Sequence, residues 1–513
     1  MSKRIVVNVG LLETRVAVQE GNLLTELYLE RHRHRSIVGG VYKGTVTNVL
    51  PGMQAAFVDI GLAKDAFLYA GDYTPNLGDA GRAPLADADE EADPDAEPDG
   101  DEEPRRQAAG PIEDMLSRGQ TVLVQVAKES LGTKGARVTS FISLPGRYVV
   151  YMPQARHVGV SRRIRDERER DRLRTALRSL DLPPGGFILR TNAEGKGEAE
   201  FAHDVEFLGR LWSQIQSRYE MATPPAALHE EGDLTFRVVR DLFSPEVDEF
   251  VVDDRAAHEK VLGYVQALVP ALAERVRLYA ERAPVFDAFG IEKDIEKALR
   301  RRVWLKSGGY IVIDHTEALV SIDVNTGKYV GKRDFEQTVL KINLEAVTEV
   351  VRQIRLRDLG GIIIIDFIDM EVLEHREQVY KAVKRALTED KARTNVLEIS
   401  ELGLVEMTRK RVRQDLRALL TQHCPTCRGT GVVKSNETLA TEIYRALQGK
   451  AAAEAPPGEG REIVARVHPD VAGYLEGEGR ADLQRLEAGL EVKITVQAAS
   501  GQAQREEYEL RVR

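Results

Sequence analysis

The residues with the clearest chemical potential are two aspartates, Asp323 and Asp366, each at the end of an apolar run. Along SIDVN the side chains alternate, so Ser321, Asp323 and Asn325 share one face of a strand while Val320, Ile322 and Val324 share the other. The run IIIID reads as a buried strand, apolar on both faces, that ends in Asp366. A strand, crossover helix and strand of this length place two parallel strands side by side, so both carboxylates should fall at the C-terminal edge of one sheet. Carboxylates that close repel and raise one another's pKa unless a cation sits between them. Magnesium is the natural cation, because it takes oxygen ligands, uses one or two carboxylates and fills its other positions with water and substrate phosphate. Asn325 can donate to an Asp323 oxygen and fix its rotamer. Asp369, three residues beyond Asp366, is a further candidate. Lys306, Lys328, Lys332, Arg352, Arg355 and Arg357 would surround the edge with positive charge and favour a phosphate-bearing polymer. The competing reading is structural: the aspartates cap strand ends or pair with arginines, and the arginines form a solvated helix face.

A second chemical signal is HCPTCRGTG, which holds the only two cysteines, Cys424 and Cys427. The Cys-x-x-Cys spacing followed by glycines is that of a zinc knuckle, but a structural zinc wants four ligands and the chain supplies two thiolates. The simplest completion is a second chain, which predicts a homodimer with half a zinc per protomer. His423 as an intrachain ligand and a thioredoxin-like redox pair are the alternatives; the redox pair is disfavoured because the motif does not follow a strand of a βαβ unit.

A third signal is aromatic. In QAAFVDI, Phe57 lies on the face of Asp59, opposite Ala56, Val58 and Ile60; Phe67 shares its face with Asp65 and Tyr69. Aromatics on the polar side of a small barrel are how OB-folds stack unpaired bases. Lys134, in the basic turn LGTKGAR, could reach a nucleic-acid backbone. The alternative is that either Phe is core at a barrel end.

These residues need elements to hold them, and the chain is long enough for several domains. It has 513 residues, 42% hydrophobic and 30% charged, too apolar for disorder throughout. The net charge is −10, but residues 79 to 103 hold twelve Asp/Glu against one Arg, and without them the chain stands at +1. Charge therefore does not exclude a nucleic-acid partner. No run of eighteen apolar residues occurs, and the first residues lack a cleavage-site pattern, so a cytoplasmic protein without membrane association is expected.

Residues 1 to 35 alternate as a strand meander turning at Glu20-Gly21-Asn22. Strands near Val41 to Val49, Gln54 to Ile60, Ala66 to Tyr69 and Gln120 to Lys128 predict a small barrel, interrupted by an acidic, Pro- and Gly-rich loop from Gly71 to Gly110. Next come a charged helix over Arg162 to Leu180, a strand over Gly186 to Arg190, and helices over Asp204 to Tyr219 and His258 to Arg282. Strands follow over Val303 to Leu305, Tyr310 to Asp314 and Ala318 to Val324. A helix then carries Phe335, Val339, Ile342, Ala346, Val350 and Ile354 at helical spacing, capped by Asp334 and stopped by Gly360-Gly361. Past the cysteines, Lys450 to Gly460 reads as a linker and the last fifty residues as a small α/β appendage.

AAFVDIG, LGTKGAR, GGFILRT, SGGYIVID, SIDVNTG, LRDLGGIIIIDFIDM, LGLVEMTRKR and CPTC occur in one order along nearly the whole chain. Together they resemble the ribonuclease E/G family. The short C-terminal part and GGFILRTNAEGKGEAE look like its G-type members. The resemblance implies a multidomain α/β fold with an inserted OB-fold barrel. Its parts would be an RNase H-like subdomain split between 1–35 and 236–298, the OB-fold over 36–139, a sensor domain over 140–235, a DNase I-like catalytic domain over 299–420, a zinc link over 421–435 and a small C-terminal α/β domain over 436–513. It implies a magnesium-dependent endoribonuclease that cuts single-stranded, A/U-rich RNA and leaves a 5′-phosphate on the downstream product. Precursors of small-subunit ribosomal RNA and messages would be substrates, and zinc would link two chains into a homodimer, two of which could pair into a tetramer. By motif, Asp323 and Asp366 would hold magnesium, Asn325 would orient Asp323, and Phe57, Phe67 and Lys134 would grip RNA. Arg190 and Thr191, with Gly146, Val150 and Arg393 around them, would sense a 5′-monophosphate.

Two other functions compete: a noncatalytic RNA-binding or ribosome-assembly factor with a vestigial carboxylate pair, and a DNA nuclease or phosphomonoesterase on the same catalytic fold. Intact Asp323, Asn325 and Asp366 argue against the first, and the aromatic barrel against the second.

Overall fold

The computed structural model describes residues 2–33, 36–73, 110–129, 135–327, 335–400, 403–411, 413–454, 462–499 and 505–513. Lys134, Asp334, Lys328, Lys332 and nearly all of the acidic segment lie outside them. The chain divides into two units, Met1–Leu416 and Arg417–Arg513.

In the first unit the N-terminal meander Lys3–Val9, Glu13–Glu20 and Leu23–Arg31 turns at Gly21 (φ +63°). It completes a five-stranded sheet with two strands from far along the chain: Glu249–Val252 runs parallel to Lys3–Val9, and Val276–Leu278 runs parallel to Glu249–Val252. The helix expected over His258 to Arg282 is only Arg255–Leu268. Pro270 has no amide hydrogen to continue it, and the chain then turns back into the Val276–Leu278 strand.

Five strands, Val41–Leu50, Ala55–Asp59, Ala66–Tyr69, Arg137–Thr139 and Thr121–Lys128, close on themselves as a small barrel, the last pairing back with the first. Its interior is filled by the alternate residues Val46, Ala56, Val58, Ala66, Leu68, Val124 and Val138. Next come a four-stranded sheet containing Val149–Met152 and Gly186–Leu189, and the helices Glu167–Arg178 and Glu198–Met221. The first helix starts later than its charged pattern suggests because Asp166 accepts the Arg168 amide and caps it there.

A six-stranded sheet carries the aspartates. Its order is Arg302–Trp304, Tyr310–His315, Leu319–Asn325, Gly361–Asp366, Leu404–Arg409 and Thr394–Val396, and only the two aspartate strands are parallel. The crossover between them includes the helix Phe335–Arg357, whose Val339, Ile342, Ala346, Val350 and Ile354 are all buried in the core with Val320, Ile322, Ile363 and Ile365. The helix stops where Asp358 adopts a left-handed conformation (φ +52°), ahead of Gly361 (φ +89°). One sheet face is therefore covered. The other is not: Ile362 is 49% exposed and Ile364 half-buried, so the strand expected to be buried on both faces presents one open face, shared with Ser321, Glu406 and Thr408.

The second unit is a three-stranded sheet, with Glu462–Val467 between parallel Lys493–Ala498 and antiparallel Glu509–Val512. The helices Asn436–Glu454, Pro469–Glu476 and Arg480–Leu490 pack their apolar positions with it.

Candidate active site

Asp323 and Asp366 are direct register partners on the two parallel strands, and both are exposed. Asn325, two residues on and on the same face, donates its amide to Asp323 Oδ2 at 2.8 Å. Burial, followed by the charges of Asp323 and Asp369, pushes the Asp366 carboxyl above its ordinary range. A divalent cation would relieve that repulsion, and the donors are the hard oxygens magnesium prefers, so the residues fit the metal. Among the described residues no cluster of three or more metal-ligating side chains is present.

The segment after Asp366 is held by residues that the apolar periodicity passes over. Asn343 is fully buried in the Phe335–Arg357 helix; it donates to the Ile368 carbonyl at 2.8 Å and accepts the Ile368 amide at 3.1 Å. Glu336, in the first helical turn, accepts the amides of Glu371 and Val372, both at 3.1 Å, and lies 3.3 Å from His375 Nδ1. The clue in the sequence is an amide beside Ile342 on the stripe that otherwise reads Val339, Ala346, Val350. On the other flank the turn holding exposed Lys306 rests against the end of the Asp323 strand. There Gly327 (φ +61°) leaves no room for a Cβ, which would lie 2.3 Å from the Gly308 carbonyl oxygen.

The arginines expected around this edge are elsewhere. Arg352, Arg355 and Arg357 belong to the last turns of the helix, away from its start beside the Asp366 loop. Arg355 pairs with Glu20 and Glu26, both at 2.8 Å, and Arg352 donates to the Leu24 carbonyl. Arg357 binds Gln353 and the Arg300 carbonyl. These groups tie the helix to the N-terminal meander and to the chain preceding the sheet; they do not line the carboxylate edge.

On the barrel, Phe57 and Phe67 are register partners with ring centroids 5.4 Å apart, edge to face. Tyr69 extends the cluster, 4.5 Å from Phe67 and 40% exposed, and the Arg137 guanidinium lies 5.0 Å from its ring. Tyr69 and Arg137 are additions to the sequence reading; the alternation of AFLY already places Tyr69 on the face of Phe67.

The residues expected to sense a 5′-phosphate are partly gathered. Arg190 donates Nη1 to the Gly146 carbonyl and to Asp241 Oδ1, each at 2.7 Å, and its amide binds the Tyr148 carbonyl. Val150 is buried opposite Ile188 in the same sheet, and Thr191 follows Arg190 at the strand end. Asp204, also buried, accepts the amides of Arg147, Tyr148 and Val149, and a Cβ on Gly146 would lie 2.5 Å from its carboxylate. Arg393 belongs to a different sheet, exposed ahead of Thr394–Val396. Asp241 was not foreseen; the Arg240 and Arg190 guanidiniums overcome its burial and hold its carboxyl at about 2.

In the second unit, Cys424 is exposed and Cys427 half-buried. Backbone amides of Cys427 and Thr426 hydrogen-bond Cys424 and lower its thiol pKa, an arrangement suited to a metal-binding thiolate. The turn bends back so that a Cβ on Gly429 would lie 3.1 Å from His423 Nδ1. The pair lies well ahead of the helix Asn436–Glu454 and does not sit at its N-terminus, where a redox pair would gain from the helix dipole. Two thiolates fit half of a tetrahedral zinc site.

The family model described as "Ribonuclease E/G family" matches residues 143–412, and a second, "RNase E/G, Thioredoxin-like domain", matches residues 423–512. The chain is 42% identical to ribonuclease G of Escherichia coli (strain K12) over 506 residues, 98% of this chain and 99% of that protein. The chain belongs to the ribonuclease E/G family. Ribonuclease G of Haemophilus influenzae is 43% identical over 444 residues, 86% of each chain. Ribonuclease E of Escherichia coli (strain K12) is 37% identical over 494 residues, which are 94% of this chain but 44% of that protein. Within the ribonuclease E/G family the chain thus matches the G-type members along nearly their whole length. Among the described residues no helix is long and apolar enough to cross a membrane.

Proposed function

We propose that this member of the family is an endoribonuclease acting on single-stranded, A/U-rich RNA in ribosomal RNA maturation and mRNA decay. The observation that carries the reading is the register pairing of Asp323 with Asp366, with Asn325 fixing the first of them. The two aspartates would hold magnesium, which when bound polarises the scissile phosphate and lowers the pKa of an attacking water. Asn343 and Glu336 keep the chain after Asp366 in place, so the second carboxylate keeps its position relative to the first. Phe57, Phe67 and Tyr69 offer stacking faces for unpaired bases, with Lys134 as a backbone contact. The downstream product carries a 5′-phosphate.

Arg190 and Thr191, over the Gly146 backbone and with Val150 and Arg393, form the 5′-monophosphate sensor in this reading, since guanidinium and hydroxyl donors suit a terminal phosphate. Cys424 and Cys427 would share zinc with a second chain in a cytoplasmic homodimer. The domain assignment follows the family: RNase H-like parts 1–35 and 236–298, supported by their shared sheet, the OB-fold over 36–139, the sensor over 140–235, the DNase I-like domain over 299–420, the zinc link over 421–435 and a C-terminal domain over 436–513.

The test is cleavage of one A/U-rich RNA bearing a 5′-monophosphate or a 5′-hydroxyl, with magnesium or with EDTA. Magnesium-dependent cutting that is faster on the monophosphate supports the catalytic pair and the sensor together. Binding without cutting supports the noncatalytic RNA-binding factor instead.

A further inference from the structure

Just past the point where Asp366 and Leu404 pair, the sheet edge opens into a cavity of about 350 Å³. Phe367, Ile368, Asp369 and Met370, which directly follow the second catalytic carboxylate, form one wall; Arg376, Ile399 and Gly403 form the rest. The volume is at the lower end of the range for small-molecule sites. Its surface is about evenly polar and apolar, with one guanidinium and one carboxylate among apolar side chains. Arg376 is pinned by donating Nε to the Met370 carbonyl at 2.6 Å. Gly403 has φ +80°, where other residues are strained, and a Cβ there would lie 3.7 Å from Asp369 Oδ1. Phe367 directly follows Asp366 in the chain and Asp369 lies three residues beyond it, so the cavity wall begins where the second carboxylate's strand ends.

The lining narrows the occupant. A phosphate would meet the Asp369 carboxylate as a like charge, and a cation would meet Arg376. A purely apolar ligand would cover the Asp369 carboxylate and the Arg376 donors not used on Met370 without pairing them. A neutral, planar group with hydrogen-bond donors and acceptors on its edge and apolar faces matches all three features, and the substrate of the proposed reaction carries one such group on every nucleotide.

We infer that the cavity bounded by Phe367, Asp369, Arg376 and Ile399 binds the base of a nucleotide flanking the scissile phosphate. This rests on the endoribonuclease reading and adds to it a source of sequence preference at the cut itself, separate from the aromatic barrel. Asp369 accepts from base amino or imino groups and Arg376 donates to base carbonyl or ring nitrogen acceptors.

The experiment is single-turnover cleavage of one RNA in which each nucleotide around the cut is replaced in turn by an abasic residue. The full-length wild-type protein is compared with Ile399→Trp, which fills the cavity without removing a charge, and with Phe57→Ala. The expected result is that one abasic position beside the cut slows the wild type about tenfold, as the loss of one stacked or buried base should. That penalty disappears in Ile399→Trp and persists in Phe57→Ala. Wild-type cleavage indifferent to abasic residues beside the cut overturns the inference and leaves the endoribonuclease reading standing. So does an abasic penalty that Ile399→Trp leaves intact. Absence of cutting in any RNA removes both.

Discussion

Asn343 and Ile368 are joined by two reciprocal hydrogen bonds, side-chain amide to backbone carbonyl at 2.8 Å and backbone amide to side-chain oxygen at 3.1 Å, with Asn343 wholly buried. They tie the crossover helix to the chain two residues beyond Asp366. The helix that makes the aspartate strands parallel thus also fixes where the second carboxylate stands. Asn343→Leu should leave the Ile368 amide and carbonyl unpaired at a cost of about 1–3 kcal/mol. In the proposed enzyme it should lower kcat with little change in RNA affinity. Urea unfolding and single-turnover kinetics check both halves; unchanged kcat would make Asn343 a purely structural residue.

Glu26 gives the chain an acid-sensitive joint. It accepts from Arg355 at 2.8 Å and from Tyr28 at 2.7 Å; although burial raises its pKa, Lys391 and Arg355 bring the carboxyl from 4.5 to about 2. A depressed carboxylate pKa contributes stability that is complete above pH 4.5 and is lost as pH falls towards 2, here on the order of 3 kcal/mol. Glu26→Gln should therefore destabilise at pH 7 and flatten the pH dependence between 4.5 and 2. Denaturant unfolding across that range measures it, and parallel curves for the two proteins would count against the assignment.

If the barrel aromatics stack bases, Phe57→Ala and Phe67→Ala should each weaken single-stranded RNA binding by about 1–3 kcal/mol. The two losses should fall short of additive, because the rings touch each other at 5.4 Å. Titration of a labelled RNA onto the metal-free protein isolates this from cleavage. Wild-type affinity in both variants would place the rings in the barrel's own packing.

Sharing of zinc makes a stoichiometric prediction: metal analysis should give half an equivalent per chain, and Cys424→Ser should lose it and weaken self-association. One zinc per chain, or an unchanged dimer in the variant, would replace the shared site with an intrachain one.

Much of the site was legible because it lies in strands, where a period of two settles which side chains share a face. The Asp323–Asn325 contact, the pairing of the two aspartate strands and the apolar stripe of the crossover helix all follow from that alternation and from helical spacing. What escaped depends on tertiary context. Arg352, Arg355 and Arg357 read as free positive charge until Glu20, Glu26 and the Leu24 and Arg300 carbonyls arrive from distant parts of the chain. The open face at Ile362 could not be told from a covered one, since an apolar run reads alike whether one or two layers lie over it. Asp241 reaches Arg190 across 51 positions, and no local pattern marks it.

The central claim is that Asp323 and Asp366 form one metal-dependent catalytic pair. Its most direct test is cleavage and binding of a single-stranded A/U-rich RNA by Asp323→Asn beside the wild type, with the thermal stability of both metal-free proteins at pH 8. Removing Asp323's charge relieves its repulsion of Asp366, so the variant should be at least as stable and should bind RNA as the wild type does, yet cut at no measurable rate. Wild-type cleavage by a folded Asp323→Asn protein would contradict the account.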